Sequence, residues 1–252
     1  MLTLIYLLLL GLIVGSFLNC VIFRLEKKES FLRGRSYCPA CHHQLSWRDL
    51  VPVLSYISLS GKCRYCKKGI SIQYPIVELA TAALFLLVFW HSGFQVDLEF
   101  EFLILISTLS IIIFVYDLKH YIIPDRVVFP AIFLALIFDL QFFVLGQFST
   151  LSSAIIASGL FLLIFLVSKG KWLGFGDVKL VFLMGLILGF PNILAALFLA
   201  FFIGGIIGIG LIIAGKKGMK SEIPFGPFLI TGTFLAIFFG QNLINWYLNL
   251  LT

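Results

Sequence analysis

Polar residues divide this chain into long apolar runs, near positions 2–23, 75–92, 102–117, 127–145, 151–168, 178–190, 193–214 and 226–248. Several of them reach the roughly 18–20 consecutive apolar residues that carry an α-helix across a bilayer. No water inside a bilayer can satisfy an open backbone, so each run is predicted to be helical. The expected fold is therefore all-α, a polytopic transmembrane helical bundle of about eight spans. The sixth run is short and is parted from the seventh only by Gly189, Phe190, Pro191 and Asn192, which makes that pair the least distinct. The opening run, MLTLIYLLLLGLIVGSFLNCVIF, has no Lys or Arg before Arg24 and no A-x-A pattern after it, so it reads as a retained span, not a cleaved signal.

Composition agrees. The chain is 61% hydrophobic and 12% charged, against about 25% charged residues in soluble domains, and its mean hydropathy is +1.09. These values exclude an ordinary soluble protein. A net charge of +6 would suggest nucleic acid as a partner in a soluble chain. Here the placement of the charges matters more, and the expected partner is membrane lipid, with no nucleic acid. All 18 Lys and Arg residues fall within 24–68, 119–126, 169–179 and 216–220. These are alternate connections of the eight-span pattern. The connections near 93–101, 146–150 and 189–192 have no basic residue, and the first of them holds Asp97, Glu99 and Glu101. The positive-inside rule then predicts that the four basic clusters are cytoplasmic and both termini external. The chain divides into a first span (1–23), a cytoplasmic region (24–73) and a membrane core (74–252).

The 24–73 region is too short for an ordinary core and needs a staple. Cys38-Pro-Ala-Cys41 and Cys63-Arg-Tyr-Cys66, 21 residues apart, supply one. Two CxxC knuckles present four thiolates in a set suited to structural zinc. Paired disulfides are the alternative, and they rarely persist in a cytoplasmic setting. Cys20, in the first span, reads as a packing residue, and His42 and His43 read as solvated because four cysteines already close the site.

Acidic groups inside membranes are costly and mark function by default. Asp117 ends the third run, Asp125 follows Pro124 at the head of the fourth, and Asp177 opens the sixth after Gly174 and Gly176. All three fall at the predicted cytoplasmic edge, whereas Asp139 lies toward the outer end of its run. A carboxylate pair sharing one proton can hydrolyse a peptide, one member activating water and the other polarising the carbonyl. The plainer reading is that these acids neutralise Lys119, Arg126 or Lys179. Glu78, near the start of the second run, could meet a substrate amine or a basic loop residue. Gly11 and Gly15 form a GxxxG face of the kind that packs helices.

These residues together resemble the type IV prepilin leader peptidases, membrane aspartic peptidases of the GxGD kind. The resemblance is carried by GSFLNCVIFRL, the double CxxC loop, RDLVPVLSYISLSGKCRYC, QYPIVEL, Asp117 with Ile-Pro-Asp at 123–125, and Gly174-Phe-Gly-Asp177. It implies that Asp117 and Asp177 are the catalytic pair. It also implies a multi-pass protein of the bacterial inner membrane that removes a short basic leader from type IV prepilins or pseudopilins. The cleavage would fall after Gly, on the cytoplasmic side of the prepilin's apolar helix. It further implies N-methylation of the new terminus with S-adenosylmethionine as methyl donor, although no glycine-rich nucleotide fingerprint stands in the loop. The alternatives are a peptidase alone, a proton-coupled transporter, or a membrane anchor whose zinc loop binds a partner. A transporter should show repeated broken helices, and none is evident.

Overall fold

The structure is a computed structural model that describes residues 1–30, 34–143, 149–215, 218 and 222–251. Arg33, Lys216, Lys217 and Lys220 of the charge pattern lie outside the described residues. The helices are α1 (Leu2–Lys27), the short α2 (Leu54–Ser58), α3 (Gln73–His91), α4 (Leu98–His120), α5 (Asp125–Phe143), α6 (Ser149–Ser168), α7 (Phe175–Leu188), α8 (Asn192–Ile213) and α9 (Gly226–Leu251). A 3-10 turn spans Trp47–Asp49. Among the described residues the extended structure is limited to two isolated bridges, Tyr37 with Gln44 and Lys62 with Gly69.

The all-helical fold is the one the apolar pattern predicts, and each long helix covers one run. Among the described residues six helices are long and apolar enough to cross a membrane: Leu2–Lys27, Gln73–His91, Leu98–His120, Thr150–Ser168, Asn192–Ile213 and Gly226–Leu250. α5 and α7 fall outside that set, so eight crossings remains a proposal. α7 has 14 residues, about 21 Å of helix at 1.5 Å per residue, short of the roughly 30 Å hydrocarbon layer. Half of it is buried, including Val178, Leu180, Val181, Leu183 and Met184. A helix that is apolar all round belongs inside a bundle.

The chain forms two compact units, Met1–Ile112 and Ile113–Thr252. In the first, α1 packs on α3 through the GxxxG face. A Cβ on Gly11 would lie 2.5 Å from the Ala82 Cα, and one on Gly15 would lie 2.6 Å from the Glu78 Cα. Asn19, almost fully buried, donates to the carbonyls of Gly15 (3.3 Å) and Tyr74 (3.0 Å) and ties the two helices at one level.

In the second unit α7 packs against α5, α6 and α9, and α8 packs against α9. Small residues again set the distances: Gly185 of α7 lies on the backbone of Ala154, and Gly232 of α9 on the carbonyl of Ala196. Hydrophobic burial gives little drive between helices in lipid, so such close backbone packing has to supply it.

Candidate active site and zinc loop

Asp117 sits in the last turn of α4 and is almost fully buried. The C-terminal end of a helix is unfavourable for an anion. The first residue of α9 offsets this, because the Gly226 amide donates to the Asp117 carboxylate at 3.0 Å. Asp177 is the third residue of α7 and is half-buried. Its carboxylate accepts the Gly174 amide at 3.0 Å, and the helix N-terminus favours its charge. Ile123, six residues past Asp117, packs against Gly176, the residue before Asp177, so the end of α4 and the start of α7 meet. The Ile-Pro turn closes the same region: Ile123 is buried and packs on Gly176, where a Cβ would stand 3.1 Å from that of Ile123. The glycine of the GxGD run beside Asp177 is therefore a close-approach residue.

The other acids go elsewhere. Asp125 pairs with Lys179, and the Lys179 ammonium also lies over the rings of Phe129 and Phe175, 5.3 and 5.1 Å from their centroids. Neutralising a basic residue is thus the role that Asp125 takes. Asp139 accepts from Thr150. It lies 14 residues along α5 from Asp125, about 21 Å, and so cannot join the carboxylate pair. Glu78 accepts the Val53 amide at 2.7 Å. Val53 has φ +60° and ψ −49°, a strained conformation for a β-branched residue, and the buried carboxylate of Glu78 pins it.

The sequence reading missed Gly226. The signal was present in Ile223-Pro-Phe-Gly-Pro-Phe228, where two prolines bracket a glycine at the head of an apolar run. Nothing local says that the amide between them reaches an acid 109 residues earlier.

The cysteine region is built from two matching knuckles. In the first, the Cys38 amide donates to the His43 carbonyl (3.0 Å) and His42 donates to Cys38 (2.9 Å). In the second, Cys63 donates to Lys68 (2.8 Å) and Lys67 donates to Cys63 (3.0 Å). His42 and Lys67, each four residues past the first cysteine, both have positive φ, +57° and +61°. The four sulfurs lie within 4.8 Å of one another, with Cys38 and Cys66 3.9 Å apart. Tetrahedral zinc with Zn–S near 2.3 Å needs about 3.8 Å between sulfurs, whereas a disulfide needs about 2.05 Å. The cluster fits one zinc ion. Burial opposes ionisation of Cys38, but the Cys41 and Ala40 amides at its sulfur lower its pKa, while, against the His43 amide, burial and the neighbouring Cys38 and Cys66 sulfurs raise that of Cys41.

Asp49 locks the knuckles together. It accepts from Arg64 at 2.7 Å, from Tyr65 at 3.1 Å and from the Ser46 hydroxyl at 2.8 Å. Burial alone would raise its pKa, but these donors outweigh it and hold the carboxyl at about 2.

Comparison with known proteins bears on this site directly. Residues 9–92 match the bacterial peptidase A24 N-terminal domain, and residues 103–209 match the type IV leader peptidase family. A protein of Legionella pneumophila described as a prepilin leader peptidase/N-methyltransferase is 32% identical over 95% of this chain and 92% of its own. The chain belongs to the type IV leader peptidase family. Other members so described are 31% identical in Pseudomonas aeruginosa, over 95% of this chain and 91% of that one, and 34% identical in Bacillus subtilis, over 95% and 96%. No solved structure matches. The two family matches fall on either side of residues 93–102, so the leader peptidase match contains Asp117 and Asp177 and the N-terminal match contains all four knuckle cysteines.

Proposed function

We propose that this chain is a multi-pass enzyme of the bacterial inner membrane that cleaves the leader from type IV prepilins or pseudopilins, with Asp117 and Asp177 as its catalytic pair. One observation carries the reading: two carboxylates, on α4 and α7, each receive a backbone N–H, and Ile123 of the turn after α4 packs on Gly176 beside Asp177. Two carboxylates brought together in this way share one proton. The ionised member takes a proton from water as the water oxygen bonds to the scissile carbonyl carbon. The other member gives its proton to the carbonyl oxygen. Collapse of the tetrahedral intermediate breaks the C–N bond: the amine leaves with the proton held by the first carboxyl, and a hydroxyl of the intermediate returns its proton to the second, leaving a carboxylic acid. Asp125, paired with Lys179, sets the local charge and shapes the Ile-Pro turn.

The chain would then comprise a first span (1–23), a cytoplasmic region (24–73) stapled by zinc, and a membrane core (74–252), with both termini external. Methylation of the new N-terminus, with S-adenosylmethionine as donor, is supported by the description of the relatives as N-methyltransferases. Among the described residues around the knuckles no donor set is specific to that cofactor.

A cleavage assay on Asp117→Asn, Asp177→Asn, Asp125→Asn and Asp139→Asn at matched protein levels tests the pair. The first two should lose at least about 100-fold in rate, Asp125→Asn should be milder, and Asp139→Asn should stay active. A dead Asp125→Asn beside an active Asp117→Asn would replace Asp117 by Asp125 in the pair. Normal cleavage by all four variants would end the aspartic-peptidase reading.

A further inference from the structure

The segment that holds Asp117 has a second face. A groove of about 430 Å³ opens beside it, lined from α4 by Phe114 and Leu118, from α8 by Ile203 and Ile207, and from the start of α9 by Pro227 and Phe228. That volume is within the range of ligand sites. The groove adjoins the carboxylate site on two sides: Asp117 lies between Phe114 and Leu118 on α4, and Gly226 directly precedes Pro227. Apart from Tyr121 and Thr231, its lining side chains are apolar. Pro224 and Pro227 have no N–H to present, and the N–H of Gly226 is directed to Asp117. The hydroxyl of Thr231, which also lines the groove, turns back to the Pro227 carbonyl at 2.8 Å. The groove is open, for Leu118 and Ile207 remain 54% and 44% exposed.

We propose that this groove seats the apolar segment of the substrate, the residues that follow the scissile bond, and so fixes which peptide bond meets the carboxylates. The proposal rests on the peptidase reading. A groove walled by the immediate neighbours of Asp117 and of its amide donor lies where the chain being cut has to pass. Its lining is apolar but for Tyr121 and Thr231, and the Thr231 hydroxyl is spent on its own helix, which suits an apolar peptide stretch. A polar leader would gain nothing there. The Pro224–Phe228 segment then acts twice, orienting Asp117 with one amide and gripping the substrate with its side chains.

The test is steady-state cleavage of a purified prepilin by the full-length protein in mixed vesicles, with kcat and KM measured separately. Ile207→Trp and Thr231→Leu narrow the groove without touching either aspartate. Ile209→Trp, on the same helix at a position 61% exposed and outside the groove, is the control. Each narrowing variant should raise KM at least tenfold with kcat within about twofold of wild type, and the control should change neither. A photoreactive residue in the prepilin's apolar segment should crosslink to α4, α8 or α9. If wild type cleaves but both variants keep the wild-type KM, the groove holds a lipid chain or nothing, and the proposal is overturned while the peptidase reading stands. Crosslinks confined to α1 and α3 overturn it in the same way. Wild type that fails to cleave the prepilin overturns both.

Discussion

The amide of Gly226 donates to the carboxylate of Asp117 at 3.0 Å, across 109 residues of chain. A Cβ at position 226 would stand 2.5 Å from that oxygen. The glycine therefore both supplies a donor and leaves the space in which the donor works. Gly226→Ala should insert normally yet lose about 100-fold in leader cleavage, the scale of loss for a misplacement of roughly 1 Å in a reacting group. Gly205→Ala and Gly210→Ala, where a Cβ meets nothing within 4 Å, should keep wild-type rates. Equal rates for Gly226→Ala and these controls would remove Gly226 from the site.

The four thiolates should bind one zinc per chain. Ser at Cys38, Cys41, Cys63 or Cys66 should each lower the zinc content and open residues 24–73 to protease, since a tetrahedral site without one ligand loses much of its binding energy. Leader cleavage should suffer less than loop stability, because the carboxylates lie on other helices. Metal analysis of protein purified under reducing conditions without chelator decides the first point; an absence of zinc refutes it.

Asp49 makes the loop sensitive to acid. Its pKa is lowered from 3.8 to about 2, so the folded loop favours the ionised form. The resulting stability is fully present above about pH 4 and is lost as pH falls through about 2. Asp49→Asn should therefore be less protease-resistant than wild type at pH 5, and the gap should close toward pH 2. A gap that widens on acidification would reverse the assigned sign.

The charge pattern predicts sidedness. Asp97→Cys, in the acidic connection before α4, should react with an impermeant thiol reagent added outside, and Lys171→Cys only after the inner face is opened. Asp97 accepts the Phe100 amide at 2.8 Å as a cap, so Asp97→Asn in parallel shows whether losing the charge alone disturbs insertion. Labelling of position 97 from the cytoplasmic side alone would invert the topology.

What was legible in the sequence had a local physical cause. Lipid enforces apolar length, so every long helix appears as a run. A metal site enforces ligand spacing, so the Cys38–Cys41 and Cys63–Cys66 pairs show themselves as knuckles. Close helix packing enforces small residues, so Gly11 and Gly15 announce the contact with α3. The third and sixth runs likewise display Asp117 and Asp177, because an acid in an apolar run stands out against everything around it.

Tertiary structure decided the partners. Asp125 and Asp177 look alike in sequence, each an acid at the head of an apolar run; only folding gives Asp125 to Lys179 and sets Gly176, beside Asp177, against Ile123 of the turn that follows Asp117. Nothing in the sequence names a partner for Glu78, and folding gives it the Val53 amide. Gly226 carries no chemistry until α9 lies beside the end of α4. Apolar pattern, ligand spacing and helix-packing glycines are properties of neighbouring residues, which sequence determines by itself. A hydrogen bond or charge contact between distant segments depends on how those segments pack, and only the folded chain fixes that.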